Sequence, residues 1–316
     1  MFPFLSKPLL TEVVNILLFA IIIGIMVAIG TNIRTMRGGM RPKNMKNRAS
    51  FAHIWMYWED RPGTKRPEYL KLCYQTVRRH CQKDFQIHLL NEKTVYKYLP
   101  DLRRDIRRLG IPQQTDYIRL KLLKTYGGLW MDADTIVLKS LAPLIEYLKE
   151  YDFVGFGCHT ECQRKQKDTW HPANWMMASR RDGLLVTLCL NKADRMLDSG
   201  QQLSYHELGR ELLWSSMYTL RSTKPGWKYM HYSHRCSSHD SDGVKYENER
   251  MLSKRDPDPK CAAQQLFVPI YNTAPGFPKW FLQLTKEQLL SSDMLISKFL
   301  RGDVNAPSAE KLSESS

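Results

Sequence analysis

Apolar positions along this chain recur with two periods, and the periods alternate. Residues 51–58 form an apolar, aromatic run that stops before Pro62-Gly63 and reads as a strand. Over residues 67–81, Tyr69, Leu70, Cys73, Tyr74 and Val77 recur at helical spacing. Residues 85–90 alternate as a second strand, and helical stretches follow over 92–109. Pro112 opens a further helix, where its missing N–H costs nothing, and Gly127-Gly128 closes it. Residues 129–131 and 136–138 then read as strand on either side of Asp132-Ala133-Asp134. Further strands are predicted over 153–156, 174–178 and 266–270, with helices over 184–197 and 205–218. Strands alternating with helices predict an α/β fold.

The first residues follow another pattern. Residues 13–30 are eighteen positions in which Asn15 is the one strongly polar side chain. At about 1.5 Å per residue they span most of a bilayer core of about 30 Å. A signal peptide would have a shorter apolar core and a more basic leader than Lys7 alone, so the segment reads as an uncleaved transmembrane helix after a short tail, residues 1–12. Residues 31–50 lack apolar periodicity and read as a basic, flexible stem. A catalytic domain over 51–301 and a polar, disordered tail over 302–316 complete the expected organisation.

Charge refines this picture. The net charge is +15, and Arg34, Arg37, Arg41, Lys43, Lys46 and Arg48 concentrate part of it in the stem. A basic surface favours anionic partners such as nucleotides or lipid headgroups. No zinc-finger, RNA-binding or helix-turn-helix pattern accompanies it, so nucleic acid is not an expected partner. Six basic residues after the span against one before it place the following domain in the cytoplasm by the positive-inside rule. The lack of an Asn-x-Ser/Thr sequon points the same way. A Golgi or ER enzyme with a basic stem shows the same pattern, and the side of the membrane stays open. Seven irregularly spaced cysteines do not form the framework of a small secreted fold, and Cys158 and Cys162 read as ordinary thiols.

Chemistry concentrates at Asp132 and Asp134. Side chains at i and i+2 of an extended segment point the same way, so the two carboxylates can face one divalent ion. Such ions are held by one or two carboxylates together with substrate phosphates, which makes a nucleotide-diphosphate donor the first substrate to consider. Asp116 and Arg119 share a helix face. They form either an ordinary salt bridge or a pair of hydrogen-bonding groups for sugar hydroxyls. The aromatic strand Ile54-Trp55-Met56-Tyr57-Trp58 packs a core or offers a base-stacking platform. His231, His234, Cys236, His239, Asp240 and Asp242 are dense in donors, but their spacing is not that of a zinc site, so a polar loop is the default. His171, Asn174 and Trp175 are candidates for the acceptor side.

Taken together, Thr115-Asp116-x-x-Arg119-x-x-x-Leu123-x-x-x-Gly127-Gly128-x-Trp130-x-Asp132-x-Asp134 resembles a motif of the DXD-containing sugar-binding glycosyltransferases. The resemblance is strongest to the capsular polysaccharide synthesis protein group and extends to Och1-like mannosyltransferases and the large clostridial glucosylating toxins. It spans seven fixed positions, with Thr for Ser and Trp for Tyr as mild changes. It covers residues 51–200 closely and 200–300 loosely.

The resemblance implies a glycosyltransferase-A fold, a Rossmann-like mixed sheet flanked by helices. It implies a hexose moved from a nucleotide-diphosphate sugar to a glycan, glycoprotein or glycolipid, with Mn2+ or Mg2+ as cofactor; related families retain anomeric configuration, whereas an inverting enzyme would need a positioned carboxylate or His as base, and the sequence leaves both open. By position, Asp132 and Asp134 hold the metal and diphosphate, Asp116 and Arg119 contact the donor sugar, and Trp55 stacks on the base. The family's later ligand has no clear match, and residues 231–239 are where to look. Two other classes compete. Haloacid-dehalogenase phosphatases also carry Asp-x-Asp after a strand, but want Thr or Val where this chain has Ile136. A glycan-binding scaffold of the same fold would not need the intact Asp116, Arg119, Asp132 and Asp134.

Overall fold

The computed structural model describes residues 52–60, 63–158, 171–224, 226–231, 234–270 and 276–304. The expected anchor and stem lie outside these residues. So do Cys162, residues 305–316 of the tail, and the side chains of His171 and His231. Among the described residues no helix is long and apolar enough to cross a membrane. Residues 302–304 are not part of a loose tail: Gly302 caps a helix in the left-handed conformation and Val304 is buried in a core cluster.

Six strands form the main sheet. They are β1 (Ala52–Tyr57), β2 (Phe85–Leu90), β3 (Gly128–Met131), β5 (Phe153–Cys158), β6 (His171–Ser179) and β7 (Trp227–His231), in the order β2-β1-β3-β6-β5-β7. Strands β1, β2 and β3 run parallel, β6 is antiparallel to both β3 and β5, and β7 is parallel to β5. The sheet is thus mixed, as expected. Between β1 and β2 runs α1 (Glu68–Cys81), and α2 (Ile111–Tyr126) leads into β3. Because β2 and β3 flank β1 on opposite sides, the strand order reverses at β1. In open α/β sheets the crevice outside the carboxyl ends of such strands is where ligands bind.

The period of two places the core. Trp55, Trp130 and Met177 face one side and pack with Tyr117, Leu120 and Leu123 of α2 and with Val186 and Leu190 of α4 (Leu184–Asp198). Ile54, Met56, Leu129, Met131 and Met176 face the other, with Val77 and Phe156. Gly128 (φ +95°) is required where it stands: a Cβ there would lie 2.5 Å from the His53 carbonyl oxygen of the neighbouring strand. A small second sheet pairs β4 (Thr135–Val137) antiparallel with β8 (Phe267–Pro269), in the register Ile136↔Val268. The short helices α7 (Lys279–Leu282), α8 (Lys286–Ser291) and α9 (Leu295–Arg301) pack a third cluster against α1 and β4.

The structure departs from the sequence reading in four places. Residues 92–109 hold two short 3-10 turns, Thr94–Lys97 and Asp105–Arg108, instead of longer helices. Residues 205–218 are not one helix: a wide turn over Glu207–Glu211 precedes α5 (Leu212–Thr219). The break falls at Gly209, whose φ −101° and ψ −107° are not helical. Strand β7 goes unannounced because Trp227–His231 lacks alternation. Finally, Cys236 and Cys261 form a disulfide across 25 residues, with Cα atoms 5.7 Å apart. Cys73, Cys81 and Cys189 are buried free thiols.

Candidate active site

The carboxyl ends of β1 and β3 open into a cleft of ≈ 1580 Å³. The register Trp55↔Trp130 carries Tyr57 and Asp132 out of the sheet at the same edge. Asp116, Arg119, Asp132, Asp134, Asn174 and Trp175 all line this cleft. The turn after β3 is fixed from behind. The Asp132 N–H donates to the Trp175 carbonyl (2.8 Å), and the Thr135 N–H to the Asp132 carbonyl (3.2 Å).

Asp116 and Arg119 lie deep, at 6% and 5% exposure. They make the ion pair that their spacing allows, Arg119 Nη2 to Asp116 Oδ1 at 3.1 Å. Arg119 does more than pair. It donates through Nη1 to the Asn174 carbonyl and lies 3.6 Å from Asp132 Oδ1. Its guanidinium sits 4.9 Å from the centroid of the Trp130 ring. Trp130 in turn donates its indole N–H to Asp132 Oδ1 at 3.0 Å. One oxygen of Asp132 is therefore committed to protein donors, and Arg119 ties the sugar-side acid to the first carboxylate of the pair.

The second carboxylate has no such support. Among the described residues Asp134 makes no ion pair, and burial, then the neighbouring Asp132 charge, push its affinity for a proton well above the ordinary range. Asp132 shifts up for the same first cause, opposed by Arg119 and by the Trp130 hydrogen bond. Two half-buried hard-oxygen donors at the cleft wall, one without an ion-pair partner among the described residues, fit a divalent cation of the Mg2+ or Mn2+ type. Among the described residues no third His, Cys, Asp or Glu joins them to make a protein cage. That donor set suits an ion whose remaining ligands are substrate phosphates and water.

Asp116 is pushed up to about 7 by burial, against the Arg119 charge and helped by Asp132. Asn174 donates from Nδ2 to its Oδ1 at 2.7 Å. Gly209, in the turn before α5, closes the other side: a Cβ there would come within 2.6 Å of Asp116 Oδ2, and closer still to Asn174 Nδ2. Asn174 entered the sequence reading as an acceptor-side residue and belongs instead to the Asp116 network. Gly209 and the supporting role of Trp130 were missed. A lone glycine inside a helical pattern was the available signal for the first. For the second it was the two-residue offset of Trp130 from Asp132.

Trp55 does not reach the cleft. It is 0% exposed, donates its indole N–H to the Gly127 carbonyl (2.9 Å), and stacks between the rings of His53 and His88 at 4.8 and 4.2 Å. The reason is its place in mid-strand, where its side chain enters the core under α2. Trp58, one residue beyond the strand end, lines the cleft and is held by an indole hydrogen bond to Asp60 (3.0 Å). It also lines a smaller adjoining cavity of ≈ 280 Å³ with Arg66, Tyr74 and Arg78.

Among the described residues, the His-rich segment brings no further ligand to the cleft. None of residues 234–242 lines the cleft. Its acid Asp240 is spent on the N–H groups of Asp242 and Val244 and on Arg250. Cys236 ties the segment to the chain before β8.

The enzyme class is glycosyltransferase, and the ground for it is a family match. The family model for capsular polysaccharide synthesis protein matches residues 29–195, more than half of the chain, and the chain belongs to that family. No curated protein matches the chain. Among solved structures the chain is similar to the PaToxG glycosyltransferase, at 17% identity and TM-score 0.36, over 53% of this chain and 69% of that one. A glycosyltransferase involved in glycosylation of the major capsid of PBCV-1 is 11% identical with TM-score 0.38, over 69% and 93%. The bifunctional glycosyltransferase WbbM is 9% identical with TM-score 0.42, over 86% of this chain and 52% of that one. These likenesses are distant and carry no residue assignments.

Proposed function

We propose that the protein is a metal-dependent hexosyltransferase that takes its sugar from a nucleotide-diphosphate donor and passes it, with retention, to a glycan, glycoprotein or glycolipid. The observation that carries this reading is the pair Asp132 and Asp134, the first braced by Arg119 and Trp130 and the second not, in the cleft at the strand-order reversal. Asp132 and Asp134 would hold a Mn2+ or Mg2+ ion, which would supply positive charge for the diphosphate leaving group. The chain's own groups do the rest. Asp116, fixed by Arg119 and Asn174, accepts from donor-sugar hydroxyls and orients the ring. Trp58 takes over the base-stacking role first given to Trp55. An acceptor hydroxyl entering from the open side attacks the anomeric carbon on the face the diphosphate leaves; the bond from that carbon to the diphosphate oxygen breaks, and the hydroxyl proton passes to the departing phosphate oxygen.

The test uses the full chain in detergent with a panel of UDP- and GDP-hexoses and Mn2+. Turnover of one donor is expected, lost on chelation and restored by added metal. Metal-independent release of phosphate from phosphomonoesters, without nucleotide-sugar turnover, would sink the reading in favour of a phosphatase.

The same reading includes a single-pass anchor at residues 13–30, with the catalytic domain in an oxidising compartment such as the Golgi or ER lumen. The Cys236–Cys261 disulfide supports that side, since cytosolic thiols are kept reduced, and it outweighs the basic stem. Alkylation before and after reduction, followed by mass mapping, checks this. The 236–261 linkage should appear only before reduction, and finding both thiols free on the native protein overturns the assignment.

A further inference from the structure

Tyr205 lies 54% exposed on the loop between α4 and the Glu207–Glu211 turn, and it lines the cleft. Of the large aromatic side chains exposed among the described residues, it alone does so. Its loop is not slack. Gln113, in the first turn of α2, donates from Nε2 to the carbonyls of both Leu203 (3.1 Å) and Ser204 (3.0 Å). The Ser204 N–H donates to the Glu207 carboxylate, and the N–H groups of Gly209 and Glu211 both reach the His206 carbonyl at 3.2 Å. His206 meets the Tyr205 ring edge-on, with centroids 4.8 Å apart at 90°. An aromatic face held this firmly, and left bare inside a binding cleft, is pre-organised for a ligand with an apolar face of its own.

We propose that Tyr205 is the acceptor platform, on which a hexose ring lays its C–H face beside the donor sugar held at Asp116. The inference rests on the transferase reading and names the substrate class of its second half. Position favours acceptor over donor. The groups suited to donor hydroxyls, Asp116 and Arg119, are deep, whereas Tyr205 stands at the open side, where an incoming hydroxyl arrives. The Tyr205 loop leads into the Glu207–Glu211 turn, whose Gly209 lies against Asp116, so the ring belongs to the Asp116 side of the cleft. Trp58 neighbours Arg66, Leu70 and Tyr74 instead.

The experiment measures transfer by the full chain from its nucleotide sugar to the methyl α- and β-glycosides of glucose, galactose and mannose, with both Michaelis constants determined. Tyr205→Ala is expected to raise the acceptor KM at least tenfold while the nucleotide-sugar KM moves less than twofold. Tyr205→Phe and Tyr205→Trp should stay within threefold of the parent on both, because a flat ring and not the hydroxyl does the binding. An equal rise in both constants assigns the ring to the donor and overturns the proposal, as does an unchanged acceptor KM in Tyr205→Ala. If the parent turns over a nucleotide sugar but transfers to none of these hexosides, a hexose acceptor is wrong while the transferase reading stands. If no nucleotide sugar is turned over, that reading fails and takes this inference with it.

Discussion

Asp134→Asn lowers kcat/KM by about 10³-fold and raises the Tm of the metal-free protein by about 2 °C. Both changes have one origin. The carboxylate is desolvated, sits beside Asp132, and has no cation of its own. Without metal it is a liability, and the isosteric amide removes the repulsion at no cost in volume. With metal and donor bound it is half of the protein's contribution to holding the ion, and an amide offers a single neutral oxygen in its place. Asp132→Asn should cost activity similarly, with a smaller gain in Tm, because Arg119 and Trp130 offset only part of what burial costs its charge. Thermal melts with and without Mn2+, alongside donor turnover, check this. Retention of a tenth or more of the activity with unchanged metal dependence removes Asp134 from the ion site.

Gly209→Ala is expected to lower kcat/KM by at least 10²-fold and to cost about 2–3 kcal/mol of stability. The new Cβ would meet Asp116 Oδ2 at 2.6 Å, and neither Asp116 nor Asn174 is a loose chain end that could step aside. Relief requires the Glu207–Glu211 turn to lift away from α2, which breaks the Asp116–Asn174 bond that orients the sugar-side acid. Gly200→Ala is the control. That glycine has an unusual backbone (φ +68°), but nothing lies within 4 Å of its Cβ position. It should cost about 1 kcal/mol and leave kinetics alone. Urea unfolding and donor kinetics on both variants decide the matter, and activity within threefold of the parent in Gly209→Ala sinks it.

How much of this was legible beforehand depended on the range of the interactions involved. The run from Thr115 to Asp134 is local: one helix, one glycine turn, one strand. Its periodicity and turn chemistry are written in consecutive residues, so spacing put Asp116 with Arg119 on one helix face and Asp132 with Asp134 on one side of a strand, and the family resemblance joined the two pairs. Trp55 against Trp58 turned on a strand boundary. Polar residues resume only at Glu59, so the apolar run does not mark that the strand ends at Tyr57. The turn at Gly209 was hidden because its reason is Asp116, which lies 93 positions earlier. Apolar spacing over 205–218 fits a helix well until that contact is known. The Cys236–Cys261 pairing was invisible for the same cause, since an odd number of irregularly spaced cysteines admits many partners.

The minor sheet sets the order in which the enzyme becomes itself. Strand β3, before the two metal-side acids, finds its partners in β1 and β6, but β4, directly after them, pairs only with β8 near residue 268. A growing chain therefore displays the whole Asp132–Asp134 turn while one of its two anchors is still unmade. More than a hundred further residues must emerge before the second anchor exists, and closing so long a loop is among the slower steps of folding. A protein stopped short of β8 would keep every acid of the motif and lack the strand that pairs with the chain directly after Asp134.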